Sequence, residues 1–155
     1  MKPITFSCEA TFDATPDEIA VQILDLERWP EFKGYGVIPG IKQAEFEIGT
    51  PEIVGTRIHV TNTDGSSYIN EIVEWDPETR VTLEMKEFTG AISGIAARFE
   101  DRWEFESESE STRVIRTFRL YPKSLFTRPA LSLISGLLKK AICQHLEQIR
   151  ETERI

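Results

Sequence analysis

The sequence predicts one α+β domain: an antiparallel sheet of seven strands with a long C-terminal helix covering one face. Three observations lead there. Residues 4–13 alternate apolar and polar, residues 42–121 fall into six β-patterned runs broken by turn residues, and from residue 124 the apolar spacing becomes helical. An antiparallel sheet has to bury one face, and the last helix is the only element large enough to cover it. With 155 residues, 40% hydrophobic and 28% charged, and no internal repeat or linker, the chain fits a single core.

The elements follow in order. Ile4, Phe6, Cys8, Ala10 and Phe12 alternate with Thr5, Ser7, Glu9, Thr11 and Asp13, which marks a strand with one buried face. Thr15-Pro16-Asp17-Glu18 has an N-cap candidate, proline at the first helical position and glutamate at the third, the pattern of a capping box. Ile19, Ile23 and Leu26 then make one stripe of a short helix that ends at Trp29-Pro30, and 31–40 is expected to add another helical turn or two. Strands are expected at 42–48, 56–62, 67–75, 80–88, 97–106 and 112–121. Asp64-Gly65 reads as a two-residue hairpin turn, Asp76-Pro77-Glu78 as a second turn and 106–111 as a polar third. The uncharged stretch 89–96 reads as a mobile loop. From Ser124 to about Arg154 the chain is helical, with a separate turn or bent entry before Pro129. Leu131, Ile134, Leu138, Ala141, Ile142, His145 and Ile149 share one arc of that helix.

Composition excludes several functions. Net charge is −8, so no basic surface is expected to neutralise phosphates, which disfavours nucleic acid and anionic membrane surfaces alike. Cys8 and Cys143 are expected to be two reduced thiols. The start of the chain has no signal core, and no apolar run approaches the roughly 20 residues that span a bilayer. Together these features predict a soluble, cytoplasmic domain. Metal and nucleotide sites are not expected: there is no zinc spacing, phosphate-binding glycine loop, nucleophile elbow or calcium loop.

Register can be proposed from the turns. A two-residue turn at Asp64-Gly65 sets Val60 opposite Ile69 and Ile58 opposite Glu71, so Ile69, Glu71, Val73 and Trp75 face inward. His59 then falls on the solvent parity. A four-residue loop at 107–110 pairs Phe105 with Thr112 and Trp103 with Val114, and sets Asp101 directly opposite Arg116 on the inner face. A lone buried charge costs several kcal/mol, so a partner is expected there. This pair reads either as a structural ion pair or as a group that orients a ligand. His145 should face the sheet, either as a core histidine or as a general acid or base.

Ala14-Thr15-Pro16-Asp17-Glu18-Ile19, Leu24-Asp25-Leu26-Glu27-Arg28-Trp29-Pro30-Glu31-Phe32, Val54-Gly55-Thr56 and Val73-Glu74-Trp75-Asp76-Pro77 resemble the START-like (SRPBCC) superfamily of helix-grip proteins. That group includes polyketide cyclases, birch-pollen-type allergens and coenzyme-Q-binding proteins. The resemblance covers the whole chain and implies a curved sheet gripping the C-terminal helix around an apolar tunnel. It implies a small hydrophobic guest such as a lipid, polyketide or isoprenoid-like molecule. On this reading Trp75, Leu83, Met85, Phe99, Trp103, Phe118 and Leu138 line the tunnel, while Asp101, Arg116 and Glu71 orient the guest. From the residues themselves, Leu125 and Phe126, before Pro129, are expected to form an apolar lip at an entrance; transient membrane contact by that lip with Ile134-Ser135-Gly136-Leu137-Leu138 is disfavoured, because the run is short and its surroundings acidic, and no stable insertion is expected.

Three functions remain open from sequence. The first is non-covalent ligand binding, with no cofactor. The second is a cyclase, aromatase or dehydratase, in which Arg116 polarises a carbonyl and His145 or Glu71 moves the proton. The third is a protein-interaction or quinone-chaperone module. A homodimer is compatible with all three.

Overall fold

The computed structural model describes residues 2–48 and 51–152. Strand β1 (Ile4–Phe12) leads into helix α1 (Pro16–Ile23) and a 3₁₀ helix at Leu26–Glu31. Strands β2 (Ile41–Ile48), β3 (Arg57–Asn62), β4 (Ser67–Asp76), β5 (Arg80–Lys86), β6 (Ala96–Glu108) and β7 (Ser111–Pro122) follow, then helix α2 (Arg128–Thr152). All seven strands form one antiparallel sheet in the order β1-β7-β6-β5-β4-β3-β2. Each strand from β2 to β7 therefore pairs with its neighbour in sequence, and β1 joins the far edge beside β7. The helix-grip architecture holds throughout. The core runs from Phe6, Phe12 and Phe118 on the sheet to Leu131, Leu138, Ile142 and Leu146 on α2.

Several local expectations are corrected. Thr15 makes no side-chain cap; α1 starts instead at Pro16, whose fixed φ suits the first turn. Trp29-Pro30 lies inside the 3₁₀ helix, and no helix continues through 32–40. That segment folds back through a Tyr35–Ile38 bridge. Gly34 and Gly36 have φ of +76° and +58°, and a Cβ on Gly34 would lie 2.1 Å from the Ile38 carbonyl oxygen, so the turn needs glycine. The stretch expected as a mobile loop carries a 3₁₀ turn at Ala91–Gly94 and enters β6 at Ala96.

The cysteines are also corrected. Cys8 of β1 and Cys143 of α2 form a disulfide across a sequence separation of 135. It fastens the closing helix to the edge strand of the sheet, and the case for a reducing compartment built on free thiols fails with it. Among the described residues no helix is long and apolar enough to cross a membrane.

Two hairpins set the inner face. At β3–β4, Thr61 pairs with Ser67 and the Asn62 amide donates to the Ser66 carbonyl over 2.8 Å. The loop is therefore Thr63-Asp64-Gly65, three residues with Gly65 at φ +88°. An odd loop length flips the parity of β4: Val60 opposes Tyr68 and Ile58 opposes Asn70. At β6–β7, Glu108 pairs with Ser111, which leaves a two-residue turn at Ser109-Glu110. Trp103 then opposes Arg116, and Asp101 opposes Phe118. The shift from the expected register is even, so Asp101 and Arg116 keep the inward face.

Candidate functional site

Between the sheet, α2 and the first two helices lies a cavity of about 120 Å³. That is several times the room one water needs, so the space suits a small organic molecule. Its walls are mainly apolar: Leu83 and Met85 from β5, Trp103 from β6, Phe118 from β7, and Leu138, Ile142 and Ile149 from α2. Trp29 and Phe32 close it on the side of the 3₁₀ helix, where the Trp29 indole nitrogen donates to the Ile23 carbonyl over 3.0 Å.

Arg116 and Asp101 sit in the floor, 8% and 3% exposed. Arg116 Nε and Nη2 donate to the two Asp101 carboxylate oxygens over 2.9 and 2.7 Å. The pairing runs diagonally across the rung, and the guanidinium carbon lies 4.3 Å from the centre of the Trp103 ring and 5.1 Å from that of Phe118. Two neighbouring aromatics therefore hold the fork in place. At the other side of the cavity Arg28 donates to Gln22 Oε1 over 2.7 Å and pairs with Glu31 at 3.4 Å. It also reaches the Thr152 hydroxyl at the end of α2.

Three buried polar atoms of residues lining this cavity have no hydrogen-bond partner among the described residues: Arg116 Nη1, Asn70 Oδ1 and His145 Nδ1. Such atoms cost about 1–3 kcal/mol each when unsatisfied, and all three belong to side chains that line one hollow. The His145 ring packs edge-on against Phe32, with centroids 5.5 Å apart. Burial, and then the positive charges of Arg116 and Arg28, push the imidazole down to about 3, so the ring is neutral across the physiological range. Burial and the nearby Asp101 charge raise the Tyr68 phenol above its ordinary value, so this lining hydroxyl stays protonated. The four charged lining residues cancel in two pairs.

The sequence matches the model of the family described as "Polyketide cyclase / dehydrase and lipid transport" over residues 3–152. The chain belongs to this family. Solved structures share the fold: a START superfamily protein from Mycobacterium smegmatis is 13% identical, with 96% of this chain and 97% of that chain covered and a TM-score of 0.71. A protein from Thermus thermophilus is 21% identical, with 97% of each chain covered and a TM-score of 0.71. Norcoclaurine synthase from Thalictrum flavum, solved with dopamine and hydroxybenzaldehyde, is 17% identical, with 96% of this chain and 87% of that chain covered and a TM-score of 0.65. At these identities the likeness speaks for the fold alone. No curated protein matches the sequence.

Within this polyketide-cyclase-family fold, Leu83, Met85, Asp101, Trp103, Arg116, Phe118, Leu138 and His145 all line one cavity. Trp75 and Phe99 are not on it. Trp75 is half-buried against the core beyond a bulge at Val73, and Phe99 packs on Phe88 at 4.9 Å. The inward placement of Glu71 is wrong. The three-residue turn sends its carboxylate to the outer face, where it meets Lys86 at 2.9 Å and Arg57 at 3.8 Å. Asn70 and Tyr68 take the inner positions that sequence reasoning gave to Glu71 and Ile69. The signal was available: Asn62 and Gly65 also fit a three-residue loop with glycine at its left-handed position.

Proposed function

We propose that this protein binds a small, largely apolar and uncharged molecule in the cavity between sheet and α2. The observation that carries the reading is the group of unpartnered atoms, Arg116 Nη1, Asn70 Oδ1 and His145 Nδ1, set in an apolar hollow. Aromatic and aliphatic walls supply affinity through area removed from water, at about 25 cal/mol per Å². The three polar atoms fix orientation by receiving a hydroxyl, carbonyl or amide. Because Asp101 cancels Arg116 and Glu31 pairs with Arg28, a carboxylate or ammonium on the guest would find no counter-charge to spare.

Acid–base catalysis on a polyketide-like substrate draws less support. His145 holds a proton too weakly to serve as a general acid near neutral pH. Glu71 lies on the other face of the sheet, and both Asp101 oxygens are held by Arg116. Binding is tested by fluorescence titration with 2-naphthol, an uncharged aromatic alcohol, on wild type and on Ile142→Trp, which fills the hollow. Saturable one-to-one binding that disappears in the variant is expected. Absence of binding, or equal binding by a folded variant, refutes the proposal.

A further inference from the structure

A net charge of −8 hides a strong segregation. Residues 120–146 contain Lys123, Arg128, Lys139 and Lys140 and no aspartate or glutamate. The adjoining segments 33–40 and 88–97 also lack carboxylates. The 88–97 segment touches this region directly: the Lys123 amide donates to the Ile95 carbonyl over 3.0 Å. Among the described residues Lys123, Lys139 and Lys140 enter no ion pair, and all three are exposed. By contrast, cations of β7 are neutralised: Arg119 by Glu100 and, at the far end of the strand, Arg113 by Glu9 and Glu106.

The same surface carries the most exposed large apolar side chains of the fold. Phe126 is 95% exposed, Leu133 78%, Val37 77% and Leu125 71%. Leu131 of α2 is buried, and Leu133, about 200° further round the helix, points away from the sheet. The turn that carries Val37 lies against the same helix. Lys140 Nζ is 5.4 Å from the centre of the Tyr35 ring, and a Cβ on Gly36 would touch Leu137 at 4.0 Å.

We infer that this face, the outer side of α2 with the Leu125-Phe126 tip and the Val37 turn, docks reversibly on an anionic membrane surface. Exposed apolar side chains ringed by uncompensated lysines match a bilayer interface: the rings enter the headgroup boundary while the ammonium groups meet lipid phosphates. The acidic residues do not prevent it. Glu104, Glu106, Glu108 and Glu110 surround the β6–β7 turn, a whole β7 strand (~35 Å of extended chain) from Lys123. At physiological salt fields decay over about 8 Å, so the local lysines govern the approach. Net charge had argued against such a surface; its distribution argues for it. Contact by such a face is peripheral and reversible.

The test is flotation of the intact protein with vesicles of phosphatidylcholine alone and of phosphatidylcholine mixed with phosphatidylserine. Binding to the mixed vesicles and not to the neutral ones is expected, weakening as salt rises from about 0.1 M to about 0.5 M. The double variant Phe126→Ser with Leu133→Ser changes only exposed side chains, and it should keep its melting temperature yet bind at least about tenfold more weakly. Lys123→Glu with Lys140→Glu should also lose about tenfold and abolish the preference for phosphatidylserine. Failure of the wild type to float, or flotation unchanged in both variants, overturns the inference. So does a wild-type dimer in sedimentation velocity that Phe126→Ser dissociates while flotation is unaffected, since the face would then belong to a second copy of the chain.

Discussion

Lowering the pH from about 7.5 to about 5 should destabilise this protein, and His145 is the reason. In the unfolded chain an imidazole takes up its proton near 6.5, whereas in the fold burial beside Arg116 and Arg28 holds that step down to about 3. The folded ring thus refuses a proton that the unfolded ring accepts. Its share of stability is complete above the unfolded value and drains away as pH falls towards the folded one. Between the two values each pH unit costs about 1.4 kcal/mol, so moving from about pH 7.5 to about pH 5.0 removes about 2 kcal/mol. Asp64 and Glu74, whose hydrogen bonds hold them below the ordinary carboxylate range, give up their contributions only at lower pH. Urea denaturation at the two pH values measures the difference directly. Wild type should lose about 2 kcal/mol, and His145→Phe should lose almost nothing over the same interval. An equal loss in the variant, or a wild-type loss under about 0.5 kcal/mol, would show that the ring is hydrated or partnered in the fold.

Two further outcomes follow from buried connections. Arg116→Met leaves the Asp101 carboxylate buried without its two donors and should cost about 3–5 kcal/mol in urea denaturation, while Asp101→Leu with Arg116→Met should recover most of it. A nearly neutral single variant would mean that water reaches the pair. The Cys8–Cys143 disulfide closes a separation of 135 residues, for which chain entropy sets an upper value near 5 kcal/mol. Dithiothreitol should lower the melting temperature of wild type and leave that of Cys143→Ser unchanged, and titration of free thiols in unreduced, denatured protein should find none.

The coarse fold was legible because its signals are local. Period-two patterning placed every strand within a few residues of its observed bounds, and one arc of α2 already named most of the side chains that the helix turns inward. The disulfide left no such trace. Cys8 sits on an inward parity and Cys143 beside a buried arc, but only the packing of α2 on β1 makes them neighbours, and a separation of 135 residues carries no hint of it. The short segment after α1 misled for a different reason: its helical turns are 3₁₀, which tolerates Pro30, and the glycines at 34 and 36 end them in positive-φ turns.

The candidate site was legible in proportion to how a loop-length error propagates through a sheet. At β6–β7 the turn is two residues shorter than expected, which moves each cross-strand partner by two and returns every side chain to its own face. Asp101 and Arg116 therefore remain inside and still meet, because an arginine is long enough to reach diagonally past Trp103. At β3–β4 the loop is one residue longer, and one residue is enough to exchange the faces of β4 completely. Glu71, the carboxylate that sequence set into the tunnel, becomes one member of a surface ion-pair network. Asn70, which drew no attention in the sequence, becomes a buried side chain whose Oδ1 has no partner among the described residues. That exchange changes the chemistry of the site. Glu71 inside would have put a second carboxylate beside Asp101 and supplied a base for catalysis, whereas an amide inside leaves the charges balanced and offers only hydrogen bonds. The length of a single hairpin loop, Thr63-Asp64-Gly65, thus decides whether a carboxylate or an amide faces the cavity.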